Sequence, residues 1–189
     1  MKKWLFNPFV YIAGIQSLLL GWAIMLATAG ICYFNHAHFD GVIDIHVGRT
    51  TPLATYFLEQ LTDWGCVVLL CYAAALIFSR SGIRFIDVAG TLALARWVMI
   101  FPALLAFAVK VPAATQNVDE ILKAITPVTI TIGILFLAFS IWMIALSYNA
   151  FKVSCNMKGG KATVIFIIVL LLAEMLAYYI DHQLYKHLN

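Results

Sequence analysis

The chain alternates long apolar runs with short polar breaks. Five of the runs reach the ~20 residues that a helix needs to cross a hydrocarbon core of ~30 Å. They fall at about 16–34, 53–79, 85–109, 127–148 and 162–180. The segments between them, NHAHFDG, SRSG, TQNVDE and NMKGGK, are polar or turn-forming. Two runs begin with the same device. Thr51-Pro52 and Thr126-Pro127 each place a capping hydroxyl ahead of a proline at the first helical position. The run VTITIG, Val128 to Gly133, alternates with period two like a strand. A lone strand in lipid would leave its backbone groups unpaired, so a helix is expected there as well. The pattern predicts an all-α integral membrane protein: one bundle of five transmembrane helices over residues 1–189, with a short interfacial segment at the amino terminus.

Composition strengthens this reading and adds an orientation. Hydrophobic residues make up 63% of the chain, charged residues only 11%, and the mean hydropathy is +0.94. That leaves too few charges for a water-facing surface. The net charge is +3, carried in short basic clusters between apolar runs, and no nucleic-acid partner is expected. With the amino terminus inside, the cytoplasmic side holds seven basic residues: Lys2, Lys3, Arg80, Arg84, Lys152, Lys158 and Lys161. The other side holds four: Arg49, Lys110, Lys123 and Lys186. The bias predicts a cytoplasmic amino terminus and an extracytoplasmic carboxyl terminus. Lys2-Lys3, the run Leu18 to Leu26 and Ala27-Thr28-Ala29 also admit a signal-peptide reading. The aromatics Trp4, Phe6, Phe9 and Tyr11 favour instead an interfacial segment in which Asn7-Pro8 starts a short helix. Cys32, Cys66 and Cys71 lie in apolar runs and Cys155 in a polar loop. No CxxC pair exists, so they read as small hydrophobes.

The most polar stretch is FNHAHFDGVIDIH, with His36, His38, Asp40, Asp44 and His46. On an extended strand His36, His38 and Asp40 would share a face. With His46 they are the candidate metal ligands, since imidazole and carboxylate suit zinc-like ions. The stretch matches no metalloenzyme signature such as H-E-x-x-H. The plainer expectation is a solvated extracytoplasmic loop, with no cofactor and no tightly held transition metal. NMKGGKAT is similar to a phosphate-binding loop only in its Gly-Lys. Cys155 stands where that loop needs its first glycine, and Ala162 follows Lys161. It reads as a basic turn against anionic headgroups. No histidine lies within the five runs to activate a serine or threonine, so no catalytic residue is expected. Five spans also do not divide into two inverted halves.

Glu59, Asp63, Arg96 and Glu174 fall inside predicted spans and form the candidate buried charge network. At ~1.5 Å per residue Arg96 lies ~15 Å from the cytoplasmic edge, Glu174 ~18 Å and Asp63 ~24 Å. The matched depths make Glu174 the expected partner of Arg96, with Asp63 as the alternative and Glu59 reaching the outer headgroups. Small residues (Gly21, Ala27 and Gly30 in the first span; Ala89, Gly90, Ala93 and Ala95 in the third) are expected to pack internally rather than form a dimer interface.

A short amino-terminal segment followed by five closely spaced spans, with DVAGTLALARWVMIFPALL (Asp87 to Leu105) as the third, resembles the YIP family of Ypt/Rab-interacting membrane proteins. The start KKWLFNPFVYIAG and the loop HFDGVIDIH are similar to bacterial members. The resemblance extends over nearly the whole chain. It implies five spans and a non-enzymatic role in membrane organisation, through contacts with lipids, other membrane proteins or a second copy. The long polar amino-terminal region of eukaryotic members is missing, so Rab-type GTPase binding is not implied. The expected location is a bacterial inner membrane. Two other functions stay open: a small transporter or channel component using Glu59, Asp63, Arg96 and Glu174, and a metal-dependent membrane enzyme using the His36–His46 loop.

Overall fold

The computed structural model describes residues 2–48, 50–79, 81–109 and 126–188. Among the described residues, five helices are long and apolar enough to cross a membrane: Gly14–Asn35, Leu53–Phe78, Phe85–Ala108, Pro127–Ser154 and Gly159–His187. The chain is therefore an all-helical polytopic membrane protein. The last two helices run several residues beyond the apolar runs that predict them, which brings Asp181, His182 and Tyr185 into the fifth helix. Of the basic residues that set the expected orientation, Arg49, Arg80, Lys110 and Lys123 lie outside the described residues, as do the side chains of Lys2 and Lys3.

Helix α1 (Lys2–Phe6) is one short turn, followed by a 3-10 turn at Pro8–Val10. Its final carbonyls have no partner within so short a helix. The Trp142 indole donates to Leu5 O at 3.0 Å and the Asn149 amide to Phe6 O at 2.8 Å. The segment is thus tied along the fourth span, with Phe9 buried and Trp4, Phe6 and Tyr11 outward.

The first span, α2 (Gly14–Asn35), starts at a positive φ of 63° on Gly14 and ends at His36, which is left-handed at φ 58°. The second, α3 (Leu53–Phe78), begins after Pro52, but the Thr51 hydroxyl makes no capping bond. At the fourth span, α6 (Pro127–Ser154), the expected cap does form, with Thr126 Oγ1 accepting from the Thr129 N–H at 3.2 Å. The fifth span is α7 (Gly159–Leu188). All four cysteines are free and buried; Cys155 is not in an open polar loop but has its thiol against the Cys71 carbonyl at 3.9 Å.

The third span is not a single α-helix. It consists of α4 (Phe85–Ala95), a 3-10 stretch at Arg96–Met99, α5 (Ile100–Leu105) and a final 3-10 turn at Ala106–Ala108. Pro102 supplies the cause, because it lacks an N–H and its ring crowds the carbonyl four residues back, at Val98. This span is the most enclosed, with 61% of its apolar window buried, against 11% for α6. It packs on α2 and α6, while α7 packs mainly on α3.

Small residues let α2 and α4 touch. A Cβ on Gly21 would meet the Ala93–Leu94 backbone at 2.5 Å, and Ser17 donates to Gly90 O at 2.8 Å. Gly21, Gly90 and Ala93 therefore pack within the bundle, whereas Gly30 faces open space and Ala27 is exposed. Gly21→Leu should destabilise the detergent-solubilised protein by about 1–3 kcal/mol through overpacking. Gly30→Leu should stay within about 0.5 kcal/mol. Equal losses in denaturant melts of the two variants would show that this crossing is placed wrongly.

Candidate functional site

The segment between α2 and α3 does not lie as a solvated loop. It folds into a hairpin whose strands, β1 (Ala37–His38) and β2 (His46–Val47), pair antiparallel with Ala37 opposite Val47 and His38 opposite His46. The Gly48 N–H adds a bond to His36 O at 2.8 Å. The hairpin enters the bundle apolar side first: Ala37, Phe39, Val42 and Ile45 are all buried. Asn35, the last residue of α2, fixes its root. Its side-chain oxygen accepts from Ala37 N–H at 3.0 Å and its amide donates to Ala103 O at 2.5 Å.

Irregular backbone at membrane depth survives only where protein groups satisfy it. Three spans supply those groups. Glu59 of α3 accepts the Phe39 N–H at 3.1 Å, Glu174 of α7 accepts the Ile43 N–H at 2.9 Å, and Arg96 of the third span donates to Val42 O at 3.2 Å. Arg96 also donates to Asp63 Oδ2 at 2.8 Å and lies 5.9 Å over the Phe39 ring. Its partner is therefore Asp63 and not Glu174. Matched depth says nothing about which way a side chain faces, and α3, not α7, presents its acidic face to Arg96. Glu174 is taken up by the hairpin instead. A Cβ on Gly41 would meet the Glu174 carboxylate, which would have to shift to make room.

Glu59 likewise does not reach the headgroups. It is 1% exposed, and its Oε1 accepts from both His38 Nδ1, at 2.8 Å, and the Tyr185 hydroxyl. The Tyr185 hydroxyl also stands 3.1 Å from His38 Nδ1. The His38 ring stacks on Tyr56 at 4.7 Å and on His46 at 5.7 Å. An imidazole held by a carboxylate in this way has one tautomer and one orientation fixed.

Above this layer a cavity of about 680 Å³ opens, walled by His38, Asp40, His46, His182, Tyr185 and Lys186 among others. At its rim His46 Nδ1 lies 3.1 Å from Asp40 Oδ1. The hydrogen bond to Asp40 raises the His46 pKa; burial opposes this, and the carboxylates of Asp40, Asp44 and Glu59 add to the rise. Burial alone would raise the Asp40 carboxyl, but the bond and charge of His46 and the charge of His38 together hold it below its ordinary value. Of the expected metal ligands, Asp40 and His46 therefore converge. His38 is turned inward to Glu59, and His36 caps α2.

Sequence reasoning missed Asp181 and Tyr185. Asp181 lies just past the apolar run that predicts the fifth span, yet it is 1% exposed on α7. Glu174, Asp181 and Tyr185 repeat at seven and four residues, so they form one stripe on that helix. The spacing was visible, but the stripe runs beyond the apolar stretch that defined the span. The Thr62 side chain is hydrogen-bonded to Asp181, while Asp63 Oδ1, Arg96 Nε and Gln60 Nε2 have no well-formed hydrogen bond among the described residues.

The Arg96–Asp63 pair generates a specific expectation. Asp63→Asn and Arg96→Gln should each cost about 3–5 kcal/mol, because each leaves a buried charge unpaired. The double variant should lose less than the sum by 1 kcal/mol or more, on the order of contacting pairs in such cycles. The cycle of Arg96 with Glu174 should show a smaller coupling. Equal couplings in detergent unfolding would refute the assigned pairing. Comparison of the chain with family models, with curated proteins and with solved structures finds no match.

Proposed function

We propose that this protein is a small transporter or channel component that handles a cation through the site beneath its hairpin. One observation carries the reading. The hairpin accounts for Glu59, Glu174 and Arg96, since each satisfies its backbone, but it does not account for Asp181. This carboxyl is enclosed, has the Thr62 hydroxyl as its hydrogen-bond neighbour and no ion pair among the described residues, and is with Asp63 and Glu59 one of three fully buried acids in a region with one buried guanidinium. A purely structural set of charges is satisfied internally, because unpaired polar groups are costly at low dielectric. Acidic side chains within a membrane that lack a counter-charge mark ion and proton paths. The cavity is walled by His38 and Tyr185, and both are bonded to Glu59.

The test is flux. In liposomes loaded with a pH- or sodium-sensitive dye, the reconstituted protein should dissipate an imposed gradient faster than protein-free liposomes do. Asp181→Asn should abolish most of the difference while leaving the detergent melt in place. Absence of flux above the control for protons, sodium and potassium would end the transport reading.

A second reading has its own support. Helix α6 is the least enclosed span, and an apolar groove between it and α7 is lined by Ile141, Ile144, Tyr148, Phe166 and Leu170. A lipid acyl chain fits such a groove, in line with the non-enzymatic membrane-organising role that resemblance to the YIP family implies. Lipid that copurifies and is lost on Ile144→Trp would favour this reading.

Orientation belongs to the same proposal. We place the protein in a bacterial inner membrane with the hairpin and cavity extracytoplasmic, on the seven-to-four basic bias in the sequence. Reporter fusions at residue 1 should be cytoplasmic and at residue 189 extracytoplasmic. Both reporters on one side would contradict an odd number of spans.

A further inference from the structure

The geometry points to a binding site for one divalent transition-metal ion at Asp40, Asp44 and His46 of the hairpin, two of which wall its cavity. The three residues each offer one ligand atom, and these atoms all lie within 4.8 Å of one another. The hairpin creates this proximity. Its ladder pairs His38 with His46, so the seven residues between them turn back on themselves and carry Asp40 toward Asp44 and His46. At metal–ligand distances of ~2.0–2.2 Å, donors around one ion stand roughly 3–4 Å apart. His46 Nδ1 and Asp40 Oδ1 are already 3.1 Å apart. Closing the third side needs only rotation of the exposed Asp44 side chain.

Three further features separate this group from an ordinary cluster of surface acids. First, the group is not all acid: Asp40 Oδ1 is shielded from solvent and directed at the His46 imidazole. Second, Asp40 and His46 both wall the cavity of about 680 Å³, which gives an ion its entry path and leaves room for the waters that would complete its shell. Third, the ligands have outer support. The His46 ring stacks on His38, which Glu59 anchors, and Asp44 Oδ1 accepts its neighbour's Ile45 N–H at 2.8 Å. Outer contacts of this kind fix ligand orientation.

The donor set selects the ion class. One imidazole and two carboxylates suit zinc or manganese, whereas an all-oxygen set would suit calcium or magnesium. Two carboxylates and a neutral imidazole carry a charge of two, which a divalent cation cancels. This inference rests on the hairpin geometry and not on the transport reading, because an ion can be held at the rim without being carried.

The experiment uses the untagged full-length protein in detergent, stripped with a chelator, and titrated calorimetrically with Zn²⁺ and separately with Mn²⁺. One ion per chain is expected for at least one of them, with Mg²⁺ and Ca²⁺ far weaker. Asp40→Asn, Asp44→Asn and His46→Gln should each weaken binding by more than about tenfold, the smaller loss typical of removing an outer-shell partner. His182→Gln, which alters the same cavity outside the ligand set, should bind as the wild type does. The added ion should also raise the melting temperature of the wild type and of His182→Gln, but not of the three ligand variants. No saturable binding by the folded wild type, or binding that survives all three ligand changes, would overturn the assignment. Flux can fail while binding persists, and binding can fail while flux persists, so the two proposals fall separately.

Discussion

The bundle is organised by a conflict between an irregular hairpin and the medium around it. Residues 36–48 bring non-helical backbone down to the level of Arg96, roughly halfway along the third span, where lipid offers no hydrogen bonds. Each exposed amide or carbonyl there would cost several kcal/mol unpaired, about the same as one buried salt bridge broken. The solution is to send a charged side chain from each of three helices to the hairpin backbone. Glu59, Glu174 and Arg96 look like an ion-conducting set in the sequence, but their contacts give each a backbone partner. This reverses the usual assignment of cause: the loop does not decorate the charges, because the charges exist in part to hold the loop.

The third span makes the arrangement possible. A regular helix would turn 100° at every residue, and its position would be set by neighbours along its whole length. The 3-10 stretch at Arg96–Met99, next to Pro102, interrupts that regularity at the level where the guanidinium must reach two targets. A guanidinium has a rigid fork of donors, so it can serve a carbonyl and a carboxylate at once, as an ammonium on a flexible stem would do less well. The close α2–α4 crossing at Gly21 and Gly90 keeps this span central. Without those glycines the helices would separate, and Arg96 would lose its fixed distance from the hairpin.

How much of this was legible in the sequence depends on the length scale of the signal. Five spans were readable because ~20 apolar residues in a row have few alternative explanations. The charged members of the site were readable too, as ionisable residues in apolar runs. Pairing was not. Depth along a helix follows from a rise of ~1.5 Å per residue, but the facing direction depends on which helices are neighbours, and no local pattern encodes that. Thus Glu174 was matched to Arg96 by depth, while Asp63 held it by direction. The hairpin was the larger loss. HAHFDGVIDIH has the polar composition of a loop, and Phe39, Val42 and Ile45, three residues apart, mark a buried side only once helices surround it. Asp181 went unseen for a related reason: a hydropathy window closes before the helix does.

The hairpin's position also links the two levels of the site. Its root and tip are clamped to three spans, so its rim residues cannot move independently of the buried layer. His46 sits in register with His38 across the ladder and stacks on its ring, and His38 is bonded to Glu59. Glu59 is four residues from Asp63 on the same helix face, and Asp63 holds Arg96. Charge placed at the rim is therefore connected by contact, residue to residue, to the guanidinium halfway along the third span. Such a chain transmits a change only if some member has two arrangements. Asp181 lies beside this chain, enclosed and held by the Thr62 hydroxyl with no ion pair among the described residues. The buried guanidinium and the cavity rim are thus two ends of one structure, and the hairpin is the piece that joins them.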